Sequence, residues 1–218
     1  MSRSRRSALY GTGRSLLARY LEAREERRPD PVVRAHRQRT LGGLAGRVVE
    51  IGCGDGRNFE HYPPAVERVL AVEPDATARQ AAERRAASVP TPIEIVEGEA
   101  EALPAGDGEF DAAVCCWVLC TVPDPAAALT EVRRVLKPGG ELRLYEHVRS
   151  RSRTFAMLQR ACDATFWPRM LGCETARDTE AAIRAAGFEL VSLERPFHSS
   201  SLVTLPSAPN ILGVAARR

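Results

Sequence analysis

Short apolar runs alternate along the chain with longer stretches in which apolar residues recur at helical spacing. The apolar runs predict strands at about 47–51, 67–73, 93–96, 110–120, 141–147, 188–194 and 210–216. The stretches between them are rich in good helix formers, and they predict a helix that begins near residue 57 and helices at about 75–88, 125–136 and 176–186. Strands that alternate with helices in this way are typical of an α/β protein with a doubly wound, mostly parallel sheet of about seven strands.

Two further helices are predicted before the first strand. Apolar residues recur at near-helical spacing from Leu9 to Arg28, and a proline follows. The Asp-Pro pair at 30–31 is typical of a helix cap followed by a proline in the first turn, and this second helix should run to about Thr40.

The length of 218 residues suits one domain that is large enough to bury a sizeable core. We expect residues 1–40 to form a helical arm and residues 41–218 to form the main domain. A helical insert is predicted at 151–173, after the fifth strand.

The densest candidate for chemistry is the stretch VVEIGCGDGRN at 48–58. A buried strand that opens into a glycine-rich turn and then a helix N-terminus is where α/β sheets bind ligands. A second apolar run ends in Glu73, which lies 21 positions after Gly52. This is near the spacing of about 20 at which an acidic residue after the second strand meets a ribose. Together the two features predict a nucleoside cofactor on a Rossmann-like sheet.

The spacing within the loop narrows the choice of cofactor. The glycines follow the pattern G-x-G-x-G, whereas dinucleotide-binding loops follow G-x-G-x-x-G. Glu50 stands two residues before the first glycine, where a carboxylate suits an ammonium group better than a pyrophosphate. S-adenosylmethionine carries an ammonium group and a ribose but no phosphate. VEIGCGDGRN resembles the first motif of class I methyltransferases, and this resemblance implies S-adenosylmethionine as the cofactor.

Later segments extend the resemblance. GEAEALP resembles an acidic-Ala-x-x-Leu-Pro segment of the same superfamily, which implies that Glu99 accepts a hydrogen bond from the adenine amino group and that the Ala100 amide donates to the ring. EVRRVLKPGGELRLYEHV resembles the region before and through the fifth strand of small-molecule methyltransferases, whose last strand is antiparallel. The resemblance implies cofactor contacts at Glu50, Gly52, Cys53, Gly54, Gly56, Asn58, Glu73, Pro74, Glu99, Ala100, Cys116 and Trp117.

The C-terminal half narrows the match to one group within the class. FDAAVCCWVLCTV, LYEHV, the spacing Asp163…Gly172-Cys173…Arg177 and the segment PNILGVA all resemble the methyltransferase-like thiol S-methyltransferases and their bacterial relatives. The resemblance covers about residues 45–216. The animal members of the group begin with a hydrophobic anchor, whereas this chain begins with an Arg-rich amphipathic segment.

A thiol is accordingly the first candidate for the methyl acceptor, in an in-line displacement from the sulfonium. An unperturbed thiol has a pKa of about 8.5, so modest help from a carboxylate, a histidine or water would produce the thiolate. The candidates for that role are His147, which follows the fifth strand, and Asp163 in the insert. Cys120, Phe166, Trp167 and, more weakly, His198 are the candidates for lining the acceptor pocket.

Composition and charge exclude several other classes of protein. There is no run of about 18 apolar residues and no secretory signal. The six cysteines show no zinc-binding spacing, so no metal is expected and reduced thiols in the cytoplasm are the default. Residues 1–40 carry eleven Arg against four acidic residues. This bias is typical of a solvated helix face, with weak contact to an anionic membrane surface as the alternative.

Several functions stay open at this point. Methylation of an oxygen or carbon atom of a phenolic, quinone or polyketide-type molecule fits the first five strands equally well, and so does a cofactor-binding protein without catalysis. Nucleic acid is not expected as a partner, because the D/N-P-P-Y/F motif is absent after the fourth strand and no aromatic residues interleave the basic ones. Arsenic methylation through Cys115 and Cys116 is disfavoured, since the two side chains should point to opposite faces of a strand.

Overall fold

The computed structural model describes residues 28–165 and 167–218. Within them, seven strands form one mixed sheet in the order β3-β2-β1-β4-β5-β7-β6. Strand β7 runs antiparallel to both of its neighbours, and the other pairs are parallel. The strands are β1 (Gly46–Ile51), β2 (Val66–Val72), β3 (Ile93–Val96), β4 (Phe110–Cys116), β5 (Leu136–His147), β6 (Phe188–Glu194) and β7 (Asn210–Arg217). The predicted α/β architecture is confirmed.

Helices cover both faces of this sheet. Because successive strand residues point to opposite faces, Val48 and Val49 belong to two separate hydrophobic cores. Leu41 lies in the core of Val48, and Leu129 and Ile183 lie in the core of Val49. The described helices are α1 (Pro31–Leu41), α2 (Ala76–Ala86), α3 (Pro125–Val135), α4 (Arg153–Asp163), α5 (Trp167–Leu171) and α6 (Thr179–Ala185).

Helix α1 begins as the Asp-Pro pair predicts. The Asp30 carboxylate accepts from the Val32 and Val33 amides, and Pro31 occupies the first turn. The helix then packs against β5 and β7. The predicted helix at 9–28 lies outside the described residues except for Arg28, and so does most of the expected arm with its membrane contact. Among the described helices, none combines the length and the apolar character that crossing a membrane requires.

Two predictions about secondary structure were wrong, namely the type of one helix and the end of one strand. The glycine loop leads into turns and a 3-10 helix, Phe59–His61, in place of an α-helix that begins near residue 57. The consecutive prolines 63 and 64 prevent a longer helix here. Strand β4 ends at Cys116 because Trp117 has a φ of +59°, which breaks the extended conformation four residues before the predicted end.

The insert after β5 is helical, as predicted. Helices α4 and α5 occupy most of 151–173. Strand β5 itself begins at Leu136, directly after α3, so the KPGG segment at 137–140 lies within the strand.

Candidate active site

The strand order reverses between β1 and β4, which places a crevice at the carboxyl ends of these strands. Open α/β sheets bind ligands at such a switch point. The glycine loop follows β1, Glu73 follows β2, and the 117–120 loop follows β4. The three segments that the sequence singled out therefore meet at one edge of the sheet.

The glycine loop leaves room for a ligand at its centre. Gly54 has a φ of +58°, and a Cβ built there would meet nothing within 4 Å. At Gly52, by contrast, a Cβ would lie 2.9 Å from a methyl group of Val118, so the absence of a side chain allows the loops after β1 and β4 to touch. An open cradle flanked by glycines fits a cofactor that approaches the backbone closely.

Glu73 is held against this cradle. Its Oε2 accepts from the Gly54 amide at 2.9 Å, and its Oε1 accepts from the Asp75 amide at 3.0 Å. Each oxygen keeps a further lone pair, so the carboxylate can accept from the two hydroxyls of a ribose. The exposed Pro74 follows it, and the Cys53 amide donates to the Val72 carbonyl at 3.1 Å.

Glu99 and Ala100 lie at the next strand end. The Glu73 amide donates to the carbonyl of Val96, the last residue of β3, so Glu99 follows a strand that is in register with β2. Glu99 is exposed and pairs with Ala102 in an isolated bridge, whereas Ala100 is buried. This arrangement can present an acceptor and a backbone amide to an adenine ring next to Glu73.

Glu50 has protein partners at both carboxylate oxygens. Asn58 Nδ2 donates to one oxygen and the Tyr62 hydroxyl donates to the other, each at 2.8 Å. The side chain is only 2 % exposed, and this burial raises its pKa to about 7. Arg37 of α1 donates to Asn58 Oδ1 at 2.7 Å. These contacts make Glu50 a positioning residue for the loop, and the expected ammonium contact stays a prediction.

Trp117 and His147 form an aromatic wall at the ends of β4 and β5. Their rings stack with centroids 4.9 Å apart and an interplanar angle of 14°. The Arg37 guanidinium lies over the Trp117 ring, 5.0 Å from its centroid. The indole N–H donates to Asn210 Oδ1 at 3.1 Å. Cys116, just before Trp117, is buried, and burial raises the pKa of its thiol to about 12.

Glu146 shapes the loop after β4, a role that sequence reasoning missed. Its buried carboxylate accepts from three consecutive backbone amides, those of Val118, Leu119 and Cys120, at 2.8 to 3.3 Å. Burial raises the pKa of Glu146 to about 7. Its place in the LYEHV segment was a signal for this site, but only the fold shows that the loop wraps around the carboxylate.

Cys120, His147 and Cys173 converge although they come from three separate segments. His147 Nδ1 lies 3.5 Å from the Cys120 sulfur and 3.4 Å from the Cys173 sulfur. The Cys120 thiol and His147 lower the pKa of Cys173. No sequence spacing linked these residues, because Cys120 lies 27 and Cys173 lies 26 positions from His147.

Asp163 holds a loop together, and its expected part as a proton acceptor stays a prediction. Its Oδ1 accepts from the Thr175 amide at 2.9 Å and from the Thr175 hydroxyl at 3.1 Å, and its Oδ2 accepts from the Ala176 amide at 2.8 Å. With three donors already bound, the carboxylate fixes the segment that carries Cys173 to helix α4.

The remaining predicted pocket residues are spread out. Trp167 is buried, and its indole N–H has no hydrogen-bond partner among the described residues. His198 Nε2 pairs with Asp30 at 2.8 Å and so connects the loop before β7 to the start of α1. Phe166 lies outside the described residues.

An open groove lined by arginines lies next to the insert. Val148, which directly follows His147, is one of its lining residues. The acidic residues of the groove, Asp178 and Glu180, pair with Arg149 and Arg195. The arginines are Arg149, Arg151, Arg153, Arg160, Arg177 and Arg195, so the groove carries a net positive charge.

Comparison with known proteins identifies the class that this fold and site define. A model of the methyltransferase domain family matches residues 49–144. A solved S-adenosylmethionine-dependent methyltransferase from Mesorhizobium loti superposes with a TM-score of 0.62 at 21% identity, over 86% of this chain and 96% of that one. Thiol S-methyltransferase TMT1B of Homo sapiens is 34% identical over 185 residues, which is 81% of this chain and 74% of that protein. The chain belongs to the S-adenosylmethionine-dependent methyltransferases.

The shorter matches include enzymes that act on other acceptors. Demethylmenaquinone methyltransferase of Renibacterium salmoninarum is 35% identical over 103 residues, which is 47% of this chain and 42% of that protein. This match covers a smaller share of the chain than the match to TMT1B does.

Proposed function

We propose that this enzyme methylates the sulfur atom of a small thiol. The observation that carries the proposal is the 34% identity to a thiol S-methyltransferase over 81% of the chain, a longer stretch than residues 49–144, which the methyltransferase family model matches. S-adenosylmethionine supplies an activated methyl group on a sulfonium. The chain must then hold the acceptor sulfur in line with that methyl group and exclude water.

In this proposal each element of the site has a stated task. Gly54 and Glu73 hold the cofactor, with Glu99 and Ala100 at its adenine end. The Trp117–His147 wall borders the acceptor, and His147 favours the thiolate form of the acceptor sulfur. Glu146 and Asp163 act through the backbone segments that they fix, so they are positioning residues.

A second candidate is O- or C-methylation of a quinone-type acceptor, because the match to a demethylmenaquinone methyltransferase covers 47% of the chain. The two candidate functions share the cofactor site. They differ in the acceptor that the carboxyl ends of β4 and β5 and the insert must accommodate.

The test is a turnover screen that measures S-adenosylhomocysteine and methylated product with thiols, phenols, quinols and amines. The thiols should include neutral and carboxylate-bearing members. A carboxylate suits the positively charged groove, whose lining includes Val148, the residue after His147. We expect product with thiols, and loss of that product in Glu73→Ala. Glu94→Ala, which removes an exposed carboxylate from β3, is the matched control and should retain activity. Activity confined to phenols or quinols would reject the thiol assignment.

The proposed location is a reducing compartment such as the cytoplasm. All six cysteines are free, and the sulfur atoms of Cys120 and Cys173 lie close enough together for oxidation to matter.

A further inference from the structure

The Cys120–His147–Cys173 cluster has the composition and geometry of a metal site. One imidazole nitrogen and two thiol sulfurs lie within 4.8 Å of one another. In a tetrahedral zinc site, bond lengths of about 2.3 Å to sulfur and about 2.0 Å to nitrogen place a sulfur and a nitrogen ligand about 3.5 Å apart. The observed separations of 3.5 and 3.4 Å are close to that edge length.

Hydrogen bonds join the three segments that carry these side chains. Glu146, the residue before His147, accepts from the Cys120 amide and its two preceding neighbours. The Glu174 amide donates to the Cys120 carbonyl at 2.8 Å, which joins the Cys173 segment to the loop after β4. Arg177 donates to the carbonyls of Leu119 and Val122 at 2.6 and 2.7 Å. A set of ligand atoms held in this way needs little reorganisation to receive an ion.

The ligand set and the access to it indicate which ion fits. Two thiolates balance the charge of a divalent cation, so the site would be neutral and would need no carboxylate. Cys120 and Cys173 are buried, whereas His147 is partly exposed. Two cysteines and one histidine leave one tetrahedral position open, which is the pattern of catalytic zinc sites and differs from the closed pattern of structural ones.

We propose that Cys120, His147 and Cys173 bind a zinc ion, and that its open position receives the sulfur of the acceptor. The second part rests on the proposed thiol S-methylation. The acceptor thiol loses its proton to solvent when its sulfur binds the ion. A sulfur lone pair then forms the new bond to the methyl carbon, while the pair of the broken bond stays on the departing thioether. In this arrangement His147 stabilises the thiolate as a ligand of the ion.

The experiment measures metal content and the spectrum of a cobalt-substituted enzyme, independently of turnover. Full-length protein should bind about one zinc ion per chain, and Co²⁺ in its place should show the intense near-ultraviolet absorption of cobalt–thiolate bonds. Cys120→Ser and Cys173→Ser should each lose zinc and this absorption. Cys162→Ser is the matched control, because Cys162 lies on α4 outside the cluster, and it should retain both.

A second measurement covers the case in which a variant does not fold. In the wild-type enzyme, zinc should protect Cys120 and Cys173 from alkylation, and a chelator should remove that protection while circular dichroism stays unchanged. A wild-type enzyme that takes up no zinc when the ion is supplied in excess would overturn the site, as would equal zinc content in Cys173→Ser.

The remaining outcomes separate the site from the proposed function. Addition of an acceptor thiol should shift the cobalt–thiolate bands. A protein that binds zinc but methylates no thiol rejects the proposed function and leaves the ion site standing. Thiol methylation by a protein that binds no zinc rejects the site and leaves the function standing.

Discussion

At the scale of single residues, Glu50 is a carboxyl group that the fold forces into a nearly dry environment. Burial raises its pKa from 4.5 to about 7, although Tyr62 and Asn58 donate to it. The folded state therefore holds a proton more tightly than the unfolded chain does. The stability that this group contributes is fully present below pH 4.5 and is lost as the pH rises through about 7.

Glu50→Gln should remove this pH dependence. As the pH rises from about 5 to about 8, the free energy of unfolding of the variant should increase by about 3 kcal/mol relative to that of the wild type. Urea unfolding across that range measures the difference. Glu94→Gln, at an exposed position on β3, should follow the wild-type curve. Parallel curves for the wild type and Glu50→Gln would show that Glu50 does not titrate there.

Gly54 and Gly52 differ in what a methyl group would meet. Gly54→Ala adds a Cβ to open space, so its cost in stability should be limited to about 1–2 kcal/mol of left-handed backbone strain. Its Cβ would enter the cradle, and the affinity for S-adenosylmethionine should fall at least about tenfold. Gly52→Ala also meets Val118 and should destabilise the protein more. Calorimetry of binding and thermal unfolding of both variants test this; unchanged affinity in Gly54→Ala would place the cofactor elsewhere.

At the scale of elements, the insert and the segment after it form a bracket that carries one side of the site. Asp163 at the end of α4 binds the backbone at 175–176. Gln159 of the same helix donates to the Val148, Thr175 and Pro206 carbonyls at 2.9 to 3.0 Å. Helix α4 therefore joins the end of β5, the Cys173 segment and the loop before β7.

Asp163→Asn distinguishes this anchoring role from proton transfer. The variant should lose about 1–3 kcal/mol of stability, and the amides at 175–176 should exchange hydrogen faster. If Asp163 acts only as an anchor, the pH–rate profile of the variant should keep the wild-type shape. Loss of a general base would lower the rate by about 10²–10⁴ and would remove one limb of that profile. Asp107→Asn, at an exposed loop position, is the matched control.

The strands and helices were largely predictable from local sequence. The arrangement of side chains at the carboxyl ends of β4 and β5 was not. The run at 93–96 and the Asp30-Pro31 pair each define an element through their own neighbours. The helix predicted from about residue 57 is only a short 3-10 helix, because the prolines at 63 and 64 stop a longer one. The convergence of Cys120, His147 and Cys173 depends on three segments that only the folded chain brings together.

At the scale of the whole molecule, the crevice is shared by segments that are far apart in sequence. The loop after β1, the acid after β2 and the loop after β4 all border it, and α1 reaches it through Arg37. A ligand that binds there contacts only the folded chain, because the unfolded chain does not assemble these segments. Binding must therefore raise the apparent stability of the entire domain.

Saturation with S-adenosylhomocysteine should make that coupling measurable. At a ligand concentration of about 100 Kd, the gain is about 2.7 kcal/mol, which corresponds to a rise in Tm of about 5–10 °C for a domain of this size. Glu73→Ala should abolish the rise, while Asp163→Asn should keep it from a lower starting Tm, since it disturbs the bracket and leaves the cradle intact. Differential scanning calorimetry provides the measurement. An equal rise in Glu73→Ala would mean that the product binds outside the crevice between β1 and β4.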